Sequence, residues 1–483
     1  MVSRRNLLKT VSMAGLAVAT SPVGTAYAEP QAQARPSAGL PASEEKFVWR
    51  AVEAMIWGMP AVNLELMIQA SRKSVNAQIN QITYWSRLLD WKNQTLTPNS
   101  DVIYLQPSYN TKEVGPLVVE IPPADDGVIN GTLMDAWQSP LEDVGPAGLD
   151  AGKGGRYLIL PPGYDGAVPE GYYVFRPATF GGYGLLRSIL RSGSVADLEK
   201  AVAYGRRIRL YPLSAAQNPP ATTFVDASGV LFDATIPYNV RFYEELDRVV
   251  QNEPWLQRDR AMIDTLRTIG IEKGRPFAPD AKQRKLLDTA AQQAHALLDA
   301  GFERLFDSSF APGSSWAFVT SMDYAKQATQ DFPDPNLYPV DERGLLFTYV
   351  FFTPRRLGAG QFWVMTHKDA AGAVLEGGKA YRLRVPPNAP VNQYWSITLY
   401  DRDTHAFIRE MPFTSRSSQT PGLRVNTDGS VDLYIGSKAQ ENWGANWLPT
   451  QAGRRFEAMA RFYGPKPALF DHSWVLPDVE RIG

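Results

Sequence analysis

The 483-residue chain has no cysteine, which removes disulfides, thiolate metal sites and a cysteine nucleophile together. Histidine is scarce too: His295, His367, His405 and His472 are the only four, and none forms the closely spaced pair that holds zinc. Charge of one sign is also missing, with 49 basic against 50 acidic side chains, so no global field draws in a nucleic acid or an anionic lipid surface. Walker, G-x-S-x-G and G-x-G-x-x-G motifs are absent, which takes support from the familiar nucleotidases, hydrolases and dinucleotide enzymes. Beyond the amino-terminal region no run of about 20 apolar residues stands out, and no membrane span is expected.

Aromatic side chains are abundant, at 11% with 12 Trp and 21 Tyr, enough to expect aromatic-lined surfaces. The 38 Gly and 37 Pro recur along the chain as turn punctuation, a distribution that many short strands produce. Paired Arg4 and Arg5 precede a mildly apolar run, Val11 to Thr20, and a small-x-small site at Ala26-Tyr27-Ala28. That is the pattern of a twin-arginine signal peptide over 1–28, followed by a Gln/Ala/Pro/Ser tether over 29–40, and it predicts a periplasmic or secreted protein.

Ser43 can cap a helix carrying Phe47, Val48, Ala51, Val52, Met55 and Ile56 on one stripe, which Gly58 and Pro60 are expected to interrupt. From Asp101 to Leu213 short apolar or alternating runs predict strands, separated by Pro and Gly. Helical periodicity returns between Asn239 and Phe306, and strands resume after Leu345. The expected organisation is a first β domain with amino-terminal helices over 41–235, a helical connector over 236–335 and a second β domain over 336–483. The fold class is mainly β, with two jelly-roll or sandwich-like domains.

Three segments of the first half, Thr97-Pro98-Asn99-Ser100-Asp101-Val102-Ile103-Tyr104, Gly115 to Pro122 and Met134-Asp135-Ala136-Trp137, resemble the bacterial domain of unknown function 1254. In the second half Tyr394 to Asp401, Asn426 to Ser430 and Asn446-Trp447-Leu448-Pro449 resemble its usual partner, domain of unknown function 1214. The resemblance spans roughly Trp49 to Pro477 and implies two jelly-roll-like domains in a homo-oligomer. It brings no settled activity and no known cofactor.

Asn99 and Asp101, with Tyr104 beyond them, stand at a strand entrance where an amide and a carboxylate can bind a polar ligand; an Asx turn explains the same triplet. Asp135 and Trp137 read as neighbours on one strand face, with Glu142 and Asp143 in the loop that follows. Carboxylates beside an aromatic platform are the minimum for acid/base cleavage of a sugar linkage, and solvated acids are the plainer reading. Asp101 and Asp135 are therefore the candidate catalytic pair. In Trp395 to Asp401, alternation puts Trp395, Ile397 and Leu399 in a core and Tyr394, Ser396, Thr398 and Tyr400 on a hydroxyl-rich wall, which is expected to be solvated or to bind ligand. Tyr400, Asp401, Trp395, Asn446 and Trp447 complete the candidate ligand contacts, with no metal ligands assigned. Asp428-Gly429 before alternating Val431, Leu433 and Ile435 reads as a hairpin turn. His367 and His405 are the better prospects for a metal centre of scattered ligands, and as isolated imidazoles read more simply as surface side chains; Arg207 and Arg209 share a strand face that can clamp a carboxylate or phosphate, and read more simply as surface ion-pair partners. The functional expectation is binding or hydrolysis of a polar small molecule or glycan, with a non-catalytic, homo-oligomeric assembly module as the alternative.

Overall fold

In the computed structural model, the described residues are 41–350, 353–356 and 360–482; the signal and tether expected over 1–40 lie outside them. The chain enters through one helix, α1 (Ala42–Val75), which runs straight through Gly58 and Pro60 where an interruption was expected. It is also long and apolar enough to cross a membrane, a run that the sequence reading passed over, yet 83% of its most apolar window is buried inside the protein. A helix apolar on every side needs such all-round cover. Gly58 is tolerated because a methyl there would stand 2.7 Å from the buried Leu246 side chain. Pro60 has no N–H to give Ile56, whose carbonyl is left bare.

Helix α2 (Val195–Gly205) packs elsewhere, and the cover comes from α3 (Val240–Asn252), α4 (Arg260–Thr268), α5 (Ala281–Arg304), α6 (Met322–Ala328) and α7 (Val340–Tyr349), which all contribute side chains to the α1 core. Tyr243 of α3 donates to the Ala51 carbonyl at 3.1 Å, and the Trp57 indole donates to Asp259 at 3.0 Å.

Twelve strands build the first β body: β1 (Gln81–Tyr84), β2 (Asn93–Gln94), β3 (Ile103–Asn110), β4 (Leu117–Ile121), β5 (Ile129–Asp135), β6 (Pro140–Val144), β7 (Gly155–Ile159), β8 (Tyr173–Phe175), β9 (Gly181–Ser188), β10 (Arg209–Pro212), β11 (Phe224–Asp226) and β12 (Phe232–Asp233). A six-stranded sheet, β11-β1-β3-β9-β5-β6, faces a four-stranded one, β10-β4-β7-β8. Ile103, Leu105, Val119, Leu133, Ile159 and Leu186 close the core between them. The second body has β13 (Gln361–Thr366), β14 (Tyr381–Val385), β15 (Trp395–Asp401), β16 (Ser415–Ser417), β17 (Val431–Gly436), β18 (Trp447–Pro449), β19 (Phe456–Tyr463) and β20 (Glu480–Arg481). Its two four-stranded sheets, β13-β19-β15-β16 and β18-β17-β14-β20, enclose Leu383, Ile397, Leu433, Ala458 and Phe462. Strands in several sheets are thus present in both halves, which is compatible with the mainly-β expectation, although helix slightly exceeds strand over the chain, at 28% against 24%.

From Ser43 on, the chain is one compact unit, because one outer face of each body is also buried, against the α1 core. Alternation correctly separates Ile397 and Leu399 from Ser396, Thr398 and Tyr400, but all of these residues are inaccessible, so the hydroxyl-rich face is covered and not solvated. Three other expectations change. Glu142 and Asp143 lie in β6, paired with β5, and not in a loop. The Asn426–Ser430 turn exists, with Gly429 at φ +83°, but it joins no hairpin, since β17 pairs with β14 and β18. His367 and His405 are buried: His367 stands 2.8 Å from Glu303 and burial pushes it down to about 4, while His405 stands 2.9 Å from the inaccessible Glu457. Arg207 does form its surface pair, with Asp125 at 2.7 Å.

The bare Ile56 carbonyl sets the approach of α7, since a methyl on Gly344 would stand 2.6 Å from that oxygen. Gly344→Ala is expected to lower stability by about 1–3 kcal/mol through overpacking, despite the ~1 kcal/mol gain in helix propensity. An unchanged urea midpoint would show that this approach is looser than described.

Candidate functional site

The segment Thr97–Asp101, at the entrance to β3, is stitched to the second body residue by residue. Thr97 N–H donates to His405 O at 2.7 Å, Tyr400 OH donates to Pro98 O at 2.6 Å, and the Asn99 amide donates to Tyr463 OH. Ser100 donates to Ser415 at 2.8 Å, and Ser415 in turn donates to the Asp101 carboxylate at 3.1 Å. Asn99 also makes the expected Asx contact, accepting from Asp101 N–H at 2.9 Å. The turn and the ligand-facing reading of this triplet are therefore compatible.

Beside the segment lies a cavity of about 70 Å³, lined by Asn99, Tyr104, Gln106, Arg187, Trp363 and Arg461 among others. By the roughly 10–15 Å³ that one water needs, it has room for about five. Arg461 is the central group. On β19 it shares a face with Glu457, Met459 and Tyr463, alternate residues of a strand buried throughout. Its Nη1 donates to Thr398 at 3.0 Å and its Nη2 to the Thr97 carbonyl at 2.9 Å, both neutral oxygens. No ion pair to a carboxylate holds it among the described residues. Burial works against the charge, yet the surrounding phenols Tyr400, Tyr463 and Tyr104 hold its pKa above the usual arginine value. Arg187 on β9 lies opposite Tyr104 in the ladder and donates to its hydroxyl at 3.3 Å. Gln106 is 1% exposed, and neither its amide nitrogen nor its oxygen has a hydrogen-bond partner.

Asp101 sits within the field of Arg461. Burial raises its pKa, with the Ser396 and Ser415 hydroxyls and then Arg461 pulling it back. Asn99, Tyr104, Asp101 and Tyr400 thus meet around one guanidinium. The other sequence candidates lie apart. Trp395 is in the core of the second body, and Asp401 pairs with Arg454. The Asn446 amide ties Arg424 and Asp432 carbonyls together, at 3.0 and 2.8 Å, and the Trp447 indole donates to Gly436 at 2.8 Å. Asp135 and Trp137 do not share a strand face, because β5 ends at Asp135 and a turn follows. Asp135 accepts from Trp137 and Ser139 N–H, both at 2.8 Å, and the Trp137 ring packs 4.6 Å from Trp57 in the α1 core.

Arg187, Arg461, Gln106 and Tyr463 were missed. One signal was available: in Phe456-Glu457-Ala458-Met459-Ala460-Arg461-Phe462-Tyr463, two charges recur at even spacing inside an apolar run. That pattern marks a buried polar face. Among the described residues no group of His, Asp and Glu side chains is arranged to hold a metal ion.

Residues 79–212 match the family described as Protein of unknown function (DUF1254), and residues 360–467 match Protein of unknown function (DUF1214). The chain is a tandem DUF1254–DUF1214 protein. The Arg461 cleft lies between these two domains, with Asn99, Tyr104, Gln106 and Arg187 from the first and Arg461 and Tyr463 from the second. A crystal structure of the VPA0106 protein from Vibrio parahaemolyticus shares the fold of this DUF1254–DUF1214 chain, with TM-score 0.53 at 17% identity, covering 90% of this chain and 100% of that one. A crystal structure of an uncharacterized protein from Burkholderia cenocepacia aligns at TM-score 0.40 and 12% identity, covering 91% and 96%. No curated protein matches the chain.

Burial pushes Asp135 up to about 6, Asp331 adds to the shift, and Arg258 and the two backbone N–H groups oppose it. The folded state therefore holds this proton more tightly than the unfolded chain, whose carboxyl titrates near 3.8. Its contribution to stability is fully present below that value and is lost as pH rises through about 6. Asp135→Asn keeps an oxygen for both N–H donors and is expected to stabilise the protein at pH 7 by on the order of 2 kcal/mol, with the gain vanishing near pH 4. Denaturation midpoints that run parallel at both pH values would contradict this.

Proposed function

We propose that this protein binds a small polar molecule carrying a carboxylate or a similar anionic head in the cleft between its two β bodies. The observation that carries the reading is Arg461, a fully buried cation whose hydrogen bonds among the described residues go to neutral oxygens. The charge is solvated by these oxygens without being cancelled, and an incoming anion can pair with it directly. Arg187 lines the same cavity and offers a second guanidinium, a donor geometry suited to carboxylate oxygens. Gln106 then has a donor and an acceptor for the polar body of the ligand. Trp85 and Trp363 supply flat apolar walls.

The expected glycan narrows on this reading to a sugar acid or a comparable small carboxylate. Asp101, an acid of raised pKa beside the guanidinium, is placed to exchange a proton with the bound molecule. Each β body, a pair of sheets around one core, we read as a sandwich of jelly-roll type. The leader over 1–28 we read as a twin-arginine signal that delivers the protein to the periplasm or beyond; Arg4→Lys with Arg5→Lys is expected to leave it uncleaved in the cytoplasm, and normal processing of that variant would refute the assignment.

Calorimetric titration with glucuronate and a set of small carboxylates, each beside its neutral analogue, tests the binding. At least one acid is expected to bind while its neutral analogue does not, and Arg461→Met or Arg187→Met is expected to weaken it by about ten- to a hundredfold. Failure of every acid, or affinity unchanged in both variants, would contradict the proposal and favour a non-catalytic assembly module.

A further inference from the structure

A second cavity of about 240 Å³ opens at the far end of β3, beside Tyr109 and Asn110, and it shares no lining residue with the Arg461 cleft. Its wall from α1 carries Leu64 and Ile68 with Glu65 between them, and Arg72 two turns further on. Arg248 of α3 and Lys112, just past β3, approach from other sides. The charges are of both signs and largely unmatched. Glu65 accepts one hydrogen bond, from the Gln69 amide at 2.6 Å, and forms no ion pair among the described residues. Arg72 and Lys112 also lack a carboxylate partner among those residues, whereas Arg248 pairs with Glu245 at 3.0 Å. Of the other acids that line the cavity, the buried Glu253 is committed to the Phe180 and Gly181 N–H groups at 2.7 and 2.9 Å, and Glu113 is exposed at the rim. Glu65 is therefore the inner anion left for a ligand, and Arg72 and Lys112 are the outer cations.

An inner carboxylate flanked by an aliphatic wall, with outer cations, complements one chemistry: an ammonium and a carboxylate a few ångströms apart on a molecule with an apolar side chain. We infer that this cavity is a binding site for a zwitterionic α-amino acid with an aliphatic side chain. The ammonium meets Glu65, the carboxylate meets Arg72 and Lys112, and the side chain lies on Leu64 and Ile68. Burial raises the pKa of Glu65, as does the nearby Glu245, and a cation placed there works against that rise. The size agrees, because the cavity falls just below the roughly 300–1,000 Å³ of pockets that take drug-sized ligands.

The test is calorimetric titration of the intact protein with L-leucine, L-leucinamide, which lacks the carboxylate, and N-acetyl-L-leucine, which lacks the ammonium. L-leucine is expected to bind at least about tenfold more tightly than either analogue. Glu65→Gln, which keeps an oxygen for Gln69, and Arg72→Met at an exposed position are each expected to weaken leucine by about tenfold, with circular dichroism unchanged. No binding at millimolar leucine, equal binding of N-acetyl-L-leucine, or indifference to both cavity variants would each overturn the inference.

Discussion

A guanidinium removed from water sits where the two halves of this protein meet. Arg461 reaches from β19 to the Thr398 hydroxyl on its own sheet and to the Thr97 carbonyl of the other body. Both acceptors are neutral, so the charge is solvated by the protein without being cancelled. The phenols of Tyr400, Tyr463 and Tyr104 gather round it, and Tyr400 and Tyr463 each also bond the Pro98–Asn99 backbone or side chain. The same contacts that keep Arg461 charged therefore fix the segment entering β3, and with it Asn99, Asp101 and Tyr104. Binding geometry and domain geometry have one origin.

Burial on this scale needs a third core. Each β body closes its own interior between two sheets, and the remaining faces, with Tyr104, Met134 and Leu185 on one side and Met365, Tyr400 and Met459 on the other, pack into the cluster that holds α1. Arg402, 3% exposed, pairs with Asp299 and Glu303 of α5 and ties the helices to the second body. A helix apolar all round and a strand face rich in hydroxyls are each costly alone in water. Packed together, the helix loses its exposed apolar surface and the hydroxyls find partners.

The fold was legible where local pattern decides it. Alternation in Trp395 to Asp401 gave the right two faces, and the apolar spacing in α3 and α5 gave the helices. What the pattern could not give was the covering of a face by distant chain. The hydroxyl wall reads as solvated until Pro98 and Asp101 lie against it, and His405 reads as a surface residue until Glu457 is beneath it. Pro60 suggested a break because a proline removes a hydrogen bond; nothing local announced that the bare carbonyl would lie against Gly344. At the site, Asn99, Asp101, Tyr104 and Tyr400 were found through strand-entrance and wall arguments. Arg461 was missed because it lies more than 350 residues from Asn99 in sequence and meets it only through Tyr463.

The coupling at Arg461 is open to direct observation by hydrogen–deuterium exchange in the native protein and in Arg461→Met. Removing the guanidinium takes the donor from Thr97 O and from Thr398 together, so protection is expected to fall in both Thr97–Asp101 and β19, in parallel. Faster exchange confined to β19, with Thr97–Asp101 as protected as before, would show that the two bodies are held by other contacts and that Arg461 is not what joins them.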